Sequence, residues 1–174
     1  MQDVLQRARA VRLLVLDVDG VLTDGRLDFG AAGELSKSFH TLDGQGIKML
    51  MESGVKVAIL SGRRSPAVDR RAADLGVTEV VQGAQDKRAE LDAMLARLGI
   101  TASQCAFMGD DLPDLPAMAR CTLAATVPGS PDAVKARSHY VTQRGGGAGA
   151  VRELCEVIMR AQGTLEAAVA RYLT

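Results

Sequence analysis

The chain has 174 residues, 47% of them hydrophobic and 24% charged, with 21 basic and 21 acidic side chains and a formal net charge of zero. That length favours one domain, spanning 1–174, over two small ones, and the charge balance gives no basis for bulk attraction to nucleic acid or an anionic membrane. No apolar run approaches the roughly 18 to 20 residues of a membrane span. The amino-terminal stretch MQDVLQRARAV lacks a signal-peptide core, so a cytoplasmic protein is expected. Three cysteines without a Cys-x-x-Cys pair, and only His40 and His139 beside them, argue against a disulfide framework or zinc site and for free buried thiols.

In chain order, Val11 to Leu16 is apolar at nearly every position, as expected of a central parallel strand covered on both faces. It stops at Asp17 and Asp19, two carboxylates one residue apart. Residues 26–39 read as a β-hairpin, RLDF and ELSKSF around the turn GAAG. An isolated ribbon of this kind is marginal in water and must pack on something, its own domain or another copy of the chain. Asp43 to Ser53 is a helix by the spacing of Ile47, Leu50 and Met51, and Val55 to Leu60 is the second parallel strand. Ser65 and Pro66 start the next helix, Val77 to Val81 is a third strand, and Gln85 to Leu98 is a helix. Cys105 to Met108 is a fourth strand, ending in GDDLPDLP. Thr122 to Thr126 and Tyr140 to Thr142 are further strands with a short helix from Ser130 between them. Val151, Leu154, Cys155, Ile158, Met159 and Gln162 share one face of a last long helix, within a carboxy-terminal helix and tail of about 148–174. Strands alternating with helices indicate a doubly wound α/β domain, mainly parallel.

The chemistry-bearing residues fall at these strand ends. The first strand gives Asp17 and Asp19, the second Ser61 in Ser-Gly-Arg, the fourth Asp110 and Asp111 with Asp114 beyond, and Lys87 opens the helix after the third. Alone, Ser61 reads as a helix cap, Lys87 as a solvated lysine and the aspartates as complements to a helix amino terminus. If the strands are parallel, all of them converge on one edge of the sheet, where such folds bind ligands. Two close carboxylates repel and call for a cation, a metal or a lysine. A calcium loop counted from Asp17 fails, because its sixth and twelfth positions are Leu22 and Asp28. The set suits phosphoryl transfer through an aspartyl-phosphate. A carboxylate serves as nucleophile once its repulsion with phosphate is reduced, and Mg²⁺ suits carboxylate and phosphate oxygens. Lys87 pairs with both anions, Ser61 binds a phosphate oxygen, and Asp19 can protonate the leaving alcohol and then activate water.

Asp-Val-Asp-Gly-Val-Leu-Thr-Asp from Asp17, Ser61-Gly-Arg, Lys87 and Gly109-Asp110-Asp111 with Asp114 resemble the four motifs of the haloacid dehalogenase superfamily. The stretch from Thr23 to Gly46, Gln82-Gly83 and GGGAGAVRELCEVIMRAQG extend the resemblance to its capless branch, the 3-deoxy-D-manno-octulosonate 8-phosphate phosphatases. The resemblance implies a Rossmann-like fold with a β-hairpin insertion and no cap domain. It implies Asp17 as nucleophile, Asp19 as acid and base, and Mg²⁺ held by the Asp17 carboxylate, the Asp19 main-chain carbonyl and Asp110, with Asp111 and Asp114 supporting. Ser61, Gly62, Arg63 and Lys87 would hold the substrate, a sugar-acid phosphate, and the hairpins would assemble a homotetramer. Two departures stand out: many relatives have arginine where this chain has Leu42 and Ala148. Arg63, Arg64 and Arg144 are candidates to compensate, and a nine-carbon sialic-acid-type 9-phosphate stays open as substrate.

Three other classes fit the sequence less well. A phosphoacceptor receiver module shares the aspartates, hydroxyl and lysine, but not a second carboxylate two residues after the nucleophile. Gly145, Gly147 and Ala150 fit a dinucleotide-binding G-x-G-x-x-A, yet the 24 residues after Ala150 leave no room for the next strand of that unit. A non-catalytic scaffold would have no need of the complete motif set.

Overall fold

The computed structural model describes residues 1–31 and 33–173. Its helices and strands run in the order α1 (Gln2–Ala8), β1 (Leu13–Leu16), β2 (Asp28–Gly30), β3 (Gly33–Ser36), α2 (Thr41–Glu52), β4 (Lys56–Ser61), α3 (Pro66–Leu75), β5 (Glu79–Gln82), α4 (Lys87–Leu98), β6 (Cys105–Met108), α5 (Leu115–Met118), β7 (Leu123–Thr126), α6 (Asp132–Lys135), β8 (Tyr140–Val141), α7 (Ala150–Ala161) and α8 (Leu165–Ala170). Six strands form one sheet in the order β5-β4-β1-β6-β7-β8, every neighbouring pair parallel. With the hairpin set aside this is the doubly wound order 3-2-1-4-5-6, as the alternation of strands and helices predicts. The strand order reverses between β1 and β6, which pair from Leu13 with Cys105 to Leu16 with Met108.

The sheet is covered on both faces, which is why β1 and β6 carry no polar side chain. Leu14, Leu16, Ile59, Met108 and Ala125 face one side, packed with Ile47 and Leu50 of α2, Val68 of α3 and Leu154 and Ile158 of α7. Leu13, Val15, Leu60, Phe107 and Ala124 face the other, against Leu91 and Met94 of α4 and Met118 of α5. The alternation along β1 follows the two-residue period of a strand. Burying a leucine of this kind contributes roughly 1.5–3 kcal/mol.

Several element ends differ from the sequence expectation by one or two residues, where capping decides. Asp86, not Gln85, starts α4: its carboxylate accepts from the amides of Arg88 and Ala89, each at 3.0 Å. His40 plays the same part for α2 through Leu42 N at 3.2 Å, so that helix begins at Thr41 rather than Asp43. Ser61 is the last residue of β4 and not a helix cap. Gln162 follows α7 and donates from Nε2 to the carbonyls of Ala8 and Val11 at 3.2 and 2.8 Å, tying α7 to the end of α1. The helix α1 has no counterpart in the sequence expectation, because two turns with Val4 and Ala8 buried are too short to establish a period.

The hairpin is present and shorter than 26–29 and 34–39, with β2 and β3 antiparallel and a register shift between Asp28 and Phe29. Ala32, within the predicted turn, and the terminal Thr174 lie outside the described residues. Among the described residues no helix is long and apolar enough to cross a membrane.

Candidate active site

The loop after β1 is held rigidly before any ligand is considered. Asp17 N donates to Met108 O at 3.0 Å, continuing the ladder with β6 beyond the strand itself. The amides of Val21, Leu22 and Thr23 all point to the Val18 carbonyl at 3.3, 2.9 and 3.0 Å. The buried Thr23 hydroxyl accepts from Gly20 N and Gly25 N. Gly20 sits at φ +90°, and a Cβ there would lie 2.0 Å from an Asp110 carboxylate oxygen, so glycine lets the β6 loop close on the β1 loop.

Asp17, Lys87 and Asp114 form a buried charged chain. Lys87 Nζ lies 2.8 Å from Asp17 Oδ1 and 2.5 Å from Asp114 Oδ1. The other oxygen of Asp114 accepts from the amides of Asp110 and Asp111 at 3.0 and 3.2 Å, which fixes the loop after β6. Burial, reinforced by repulsion from Asp114 and opposed by Lys87, pushes the Asp17 carboxyl up to about 6. Burial and then the charges of Asp17, Asp114 and Asp111 push Asp110 up to about 7. Burial works against the Lys87 ammonium, yet Asp17 and Asp114 outweigh it and hold Lys87 above the usual lysine range.

A cleft of about 340 Å³ opens on these groups, lined by Asp17, Asp19, Ser61, Gly62, Arg63, Lys87, Asp110, Asp111 and Asp114 among others. Every residue singled out as catalytic, substrate-binding or metal-binding in the sequence therefore reaches one cleft, at the point where the strand order reverses. Ser61 is buried at its floor, its Oγ accepting from Arg63 N at 3.3 Å. Asp111 reaches the rim only: it is exposed, and its carboxylate caps the following turn through Leu112 N at 2.8 Å. Of the three arginines considered as replacements, Arg63 alone lines this cleft. Arg64 lines a neighbouring one with Ser65, Asp69 and Gln82, and Arg144 one with Leu42, Arg152 and Glu153.

Two contributions escaped the sequence. Lys37, just past β3, donates to Asp19 Oδ1 at 2.5 Å with its side chain only 2% exposed. The glycine run is not a dinucleotide fingerprint but a brace: Gly147 N donates to Val21 O at 3.0 Å, and a Cβ on Gly146 would lie 1.8 Å from Gly20 O. Both depend on contacts between segments far apart in the chain, for which a single sequence carries no local signal.

The donor set fits a divalent cation. Asp17, Asp110 and Asp114 each offer a carboxylate oxygen, all within 4.8 Å of one another, and a single nearby ammonium cannot neutralise three carboxylates. Hard oxygen donors of this kind suit Mg²⁺. The raised carboxyls give a pH test. A carboxyl whose folded value lies above its unfolded one keeps the folded protein more protonated, so stability falls as pH rises from the unfolded value through the folded one. For Asp17, from 3.8 to about 6, the loss is of the order of 3 kcal/mol. Urea denaturation of metal-free protein is expected to show stability falling between about pH 4 and 7, with Mg²⁺ restoring it at the upper end. A metal-free profile that rises across this window would remove the assignment.

Comparison with known proteins agrees with this geometry. A model of the haloacid dehalogenase-like hydrolases matches residues 28–122. The 3-deoxy-D-manno-octulosonate 8-phosphate phosphatase of Yersinia pestis is 45% identical over 95% of this chain and 89% of its own. The enzyme of the same name from Moraxella catarrhalis, crystallised with a magnesium ion, a phosphate ion and a KDO molecule, superposes with a TM-score of 0.96 at 41% identity, covering 99% of both chains. A probable phosphatase from Pseudomonas syringae superposes at 0.97 with 51% identity, over 100% of this chain and 99% of that one. With a doubly wound sheet, the acidic cluster and lysine at its switch point, and these similarities along nearly its whole length, the chain belongs to the haloacid dehalogenase-like hydrolases.

Proposed function

We propose that this chain is a Mg²⁺-dependent phosphoric monoester hydrolase that converts 3-deoxy-D-manno-octulosonate 8-phosphate to the free sugar acid and phosphate. The observation that carries the reading is the buried Asp17 carboxylate, held 2.8 Å from Lys87 inside the acidic cluster, with Asp19 two residues on in the same cleft. Asp17 attacks phosphorus, an Asp17–phosphorus bond forms, and the bond from phosphorus to the sugar oxygen breaks as Asp19 gives that oxygen its proton. Asp19 then takes a proton from water, whose oxygen displaces Asp17 and releases phosphate. Lys87 and the Ser61 hydroxyl, with Gly62 and Arg63 beside them, hold the phosphoryl oxygens. Asp17, the Asp19 main-chain carbonyl and Asp110 would hold Mg²⁺, which when bound supplies positive charge where carboxylate and phosphate meet. Asp114 fixes the loop that carries Asp110, and Asp111 caps the turn that follows.

The substrate assignment draws on the relatives of that name, 45% identical in Yersinia pestis and in Haemophilus influenzae. The same reading gives a cytoplasmic homotetramer with the β2–β3 hairpins at the subunit interface. It is supported by Phe29, 61% exposed on a ribbon that pairs with no strand of the main sheet among the described residues. A monomeric mass by light scattering would remove it.

The test is phosphate release from 3-deoxy-D-manno-octulosonate 8-phosphate beside a nine-carbon sugar-acid 9-phosphate, each with Mg²⁺ and with EDTA. Metal-dependent release with preference for the eight-carbon acid is expected, and it would place the enzyme in lipopolysaccharide sugar synthesis. Preference for the nine-carbon acid would move the pathway and keep the mechanism. The second arm is needed because Leu42 and Ala148 supply no arginine, and Arg64 and Arg144 line other clefts.

A further inference from the structure

Asp19 is gripped on one of its two oxygens. Lys37 Nζ meets Oδ1 at 2.5 Å, and the Lys37 side chain is 2% exposed. Arg63 Nε is 3.6 Å from Oδ2, beyond hydrogen-bond range, and the Arg63 side chain is 55% exposed. The buried Lys37 side chain is held by its surroundings, so its contact with Asp19 is a fixed anchor, whereas the exposed Arg63 has room to move. Lys37 immediately follows β3, and Asp19 lies in the loop after β1, so this pair fastens the hairpin to the catalytic loop.

We infer that Lys37 is a positioning residue for catalysis: it pins Oδ1 of Asp19 and leaves Oδ2 as the oxygen that passes the proton to and from the cleft. The inference rests on the phosphatase reading above and deepens it. In the first half-reaction the proton leaves Oδ2 for the sugar oxygen as the phosphorus–oxygen bond breaks and the Asp17–phosphorus bond forms. In the second, Oδ2 receives a proton from the attacking water as the Asp17–phosphorus bond breaks. Lys37 neither gains nor loses a proton in either step. A carboxylate released from its anchor can turn away from the leaving oxygen, and misplacing a catalytic group by about 1 Å costs on the order of 100-fold in rate.

The dependence on leaving group separates this role from a structural one. A sugar alkoxide departs poorly without a proton, whereas p-nitrophenolate departs without help. In single-turnover experiments with Mg²⁺, Lys37→Met is expected to slow release of the sugar alcohol by about 100-fold. It is expected to slow release of p-nitrophenol from p-nitrophenyl phosphate by less than about 5-fold. Lys37→Arg, which keeps the cation, is expected to recover the sugar substrate to within about 10-fold of wild type. It also keeps the test open if Lys37→Met does not fold, since any loss in it must again be confined to the poor leaving group. An equal loss on both substrates, or no loss on either, overturns the inference. Wild-type protein inactive on both phosphates overturns the phosphatase reading and this inference with it; wild-type activity with an equal loss in the variant overturns the inference alone.

Discussion

Asp17→Asn is expected to lower kcat by about 10⁴-fold or more on every phosphate ester tested, with the fold retained. The amide has the shape of the carboxylate and cannot attack phosphorus, so the loss does not depend on the leaving group. Stability of the metal-free protein is expected to hold or rise at neutral pH, because the substitution removes a charge that burial disfavours, while Lys87 keeps its 2.5 Å contact with Asp114. Melting curves recorded beside the kinetics separate the two effects. A kcat within about 100-fold of wild type would show that the nucleophile is another group. A variant with no activity and no cooperative unfolding would assign Asp17 a structural part instead.

Lys87→Met is expected to have the largest effect on stability of any single substitution in the cleft. The Lys87 side chain is 7% exposed and its partners Asp17 and Asp114 are 9% and 2% exposed, so the substitution leaves two carboxylates buried without their ammonium. Breaking a buried pair in this way costs about 3–5 kcal/mol. The cost carries a pH signature. Without Lys87 the folded-state value of Asp17, already raised by burial, moves further up, so stability present at low pH is lost as pH rises. Urea denaturation of metal-free protein at pH 8 is expected to show the full deficit, and at pH 5 a smaller one, as Asp17 takes up a proton. A deficit equal at the two pH values would mean that Lys87 contributes packing through its aliphatic stem rather than charge.

The motif residues were legible because their positions depend on local rules. Val11 to Leu16 reads as a strand buried on both faces, and β1 occupies Leu13–Leu16 with every residue buried. Once each of β1, β4 and β6 is known to be a parallel strand of an α/β sheet, its carboxyl end must lie on the same edge as the others. That alone brings Asp17, Ser61 and Asp110 together, and the helix that Lys87 opens starts from the same edge. The hairpin was legible for a similar reason, though its ends were not. Strand ends depend on which backbone groups find partners: the ladder stops at Ser36, and the next residue, Lys37, turns its side chain to Asp19.

What the sequence by itself determined was the order of the main elements, the doubly wound class and the set of polar residues at one edge, because hydrophobic period and turn chemistry act over a few residues. What only the tertiary structure decided were contacts between segments far apart in the chain. Lys37 reaches Asp19 across 18 positions, Gly146 packs on Gly20, and the buried Asp43 carboxylate accepts from Gly149 N and Arg152 N at the start of α7, 106 and 109 residues away. Each is a charge or a close backbone approach satisfied by a distant partner. A lysine, a glycine or an aspartate has the same local propensity whether or not that partner arrives, so only the packed chain shows which of them hold the catalytic loop in place.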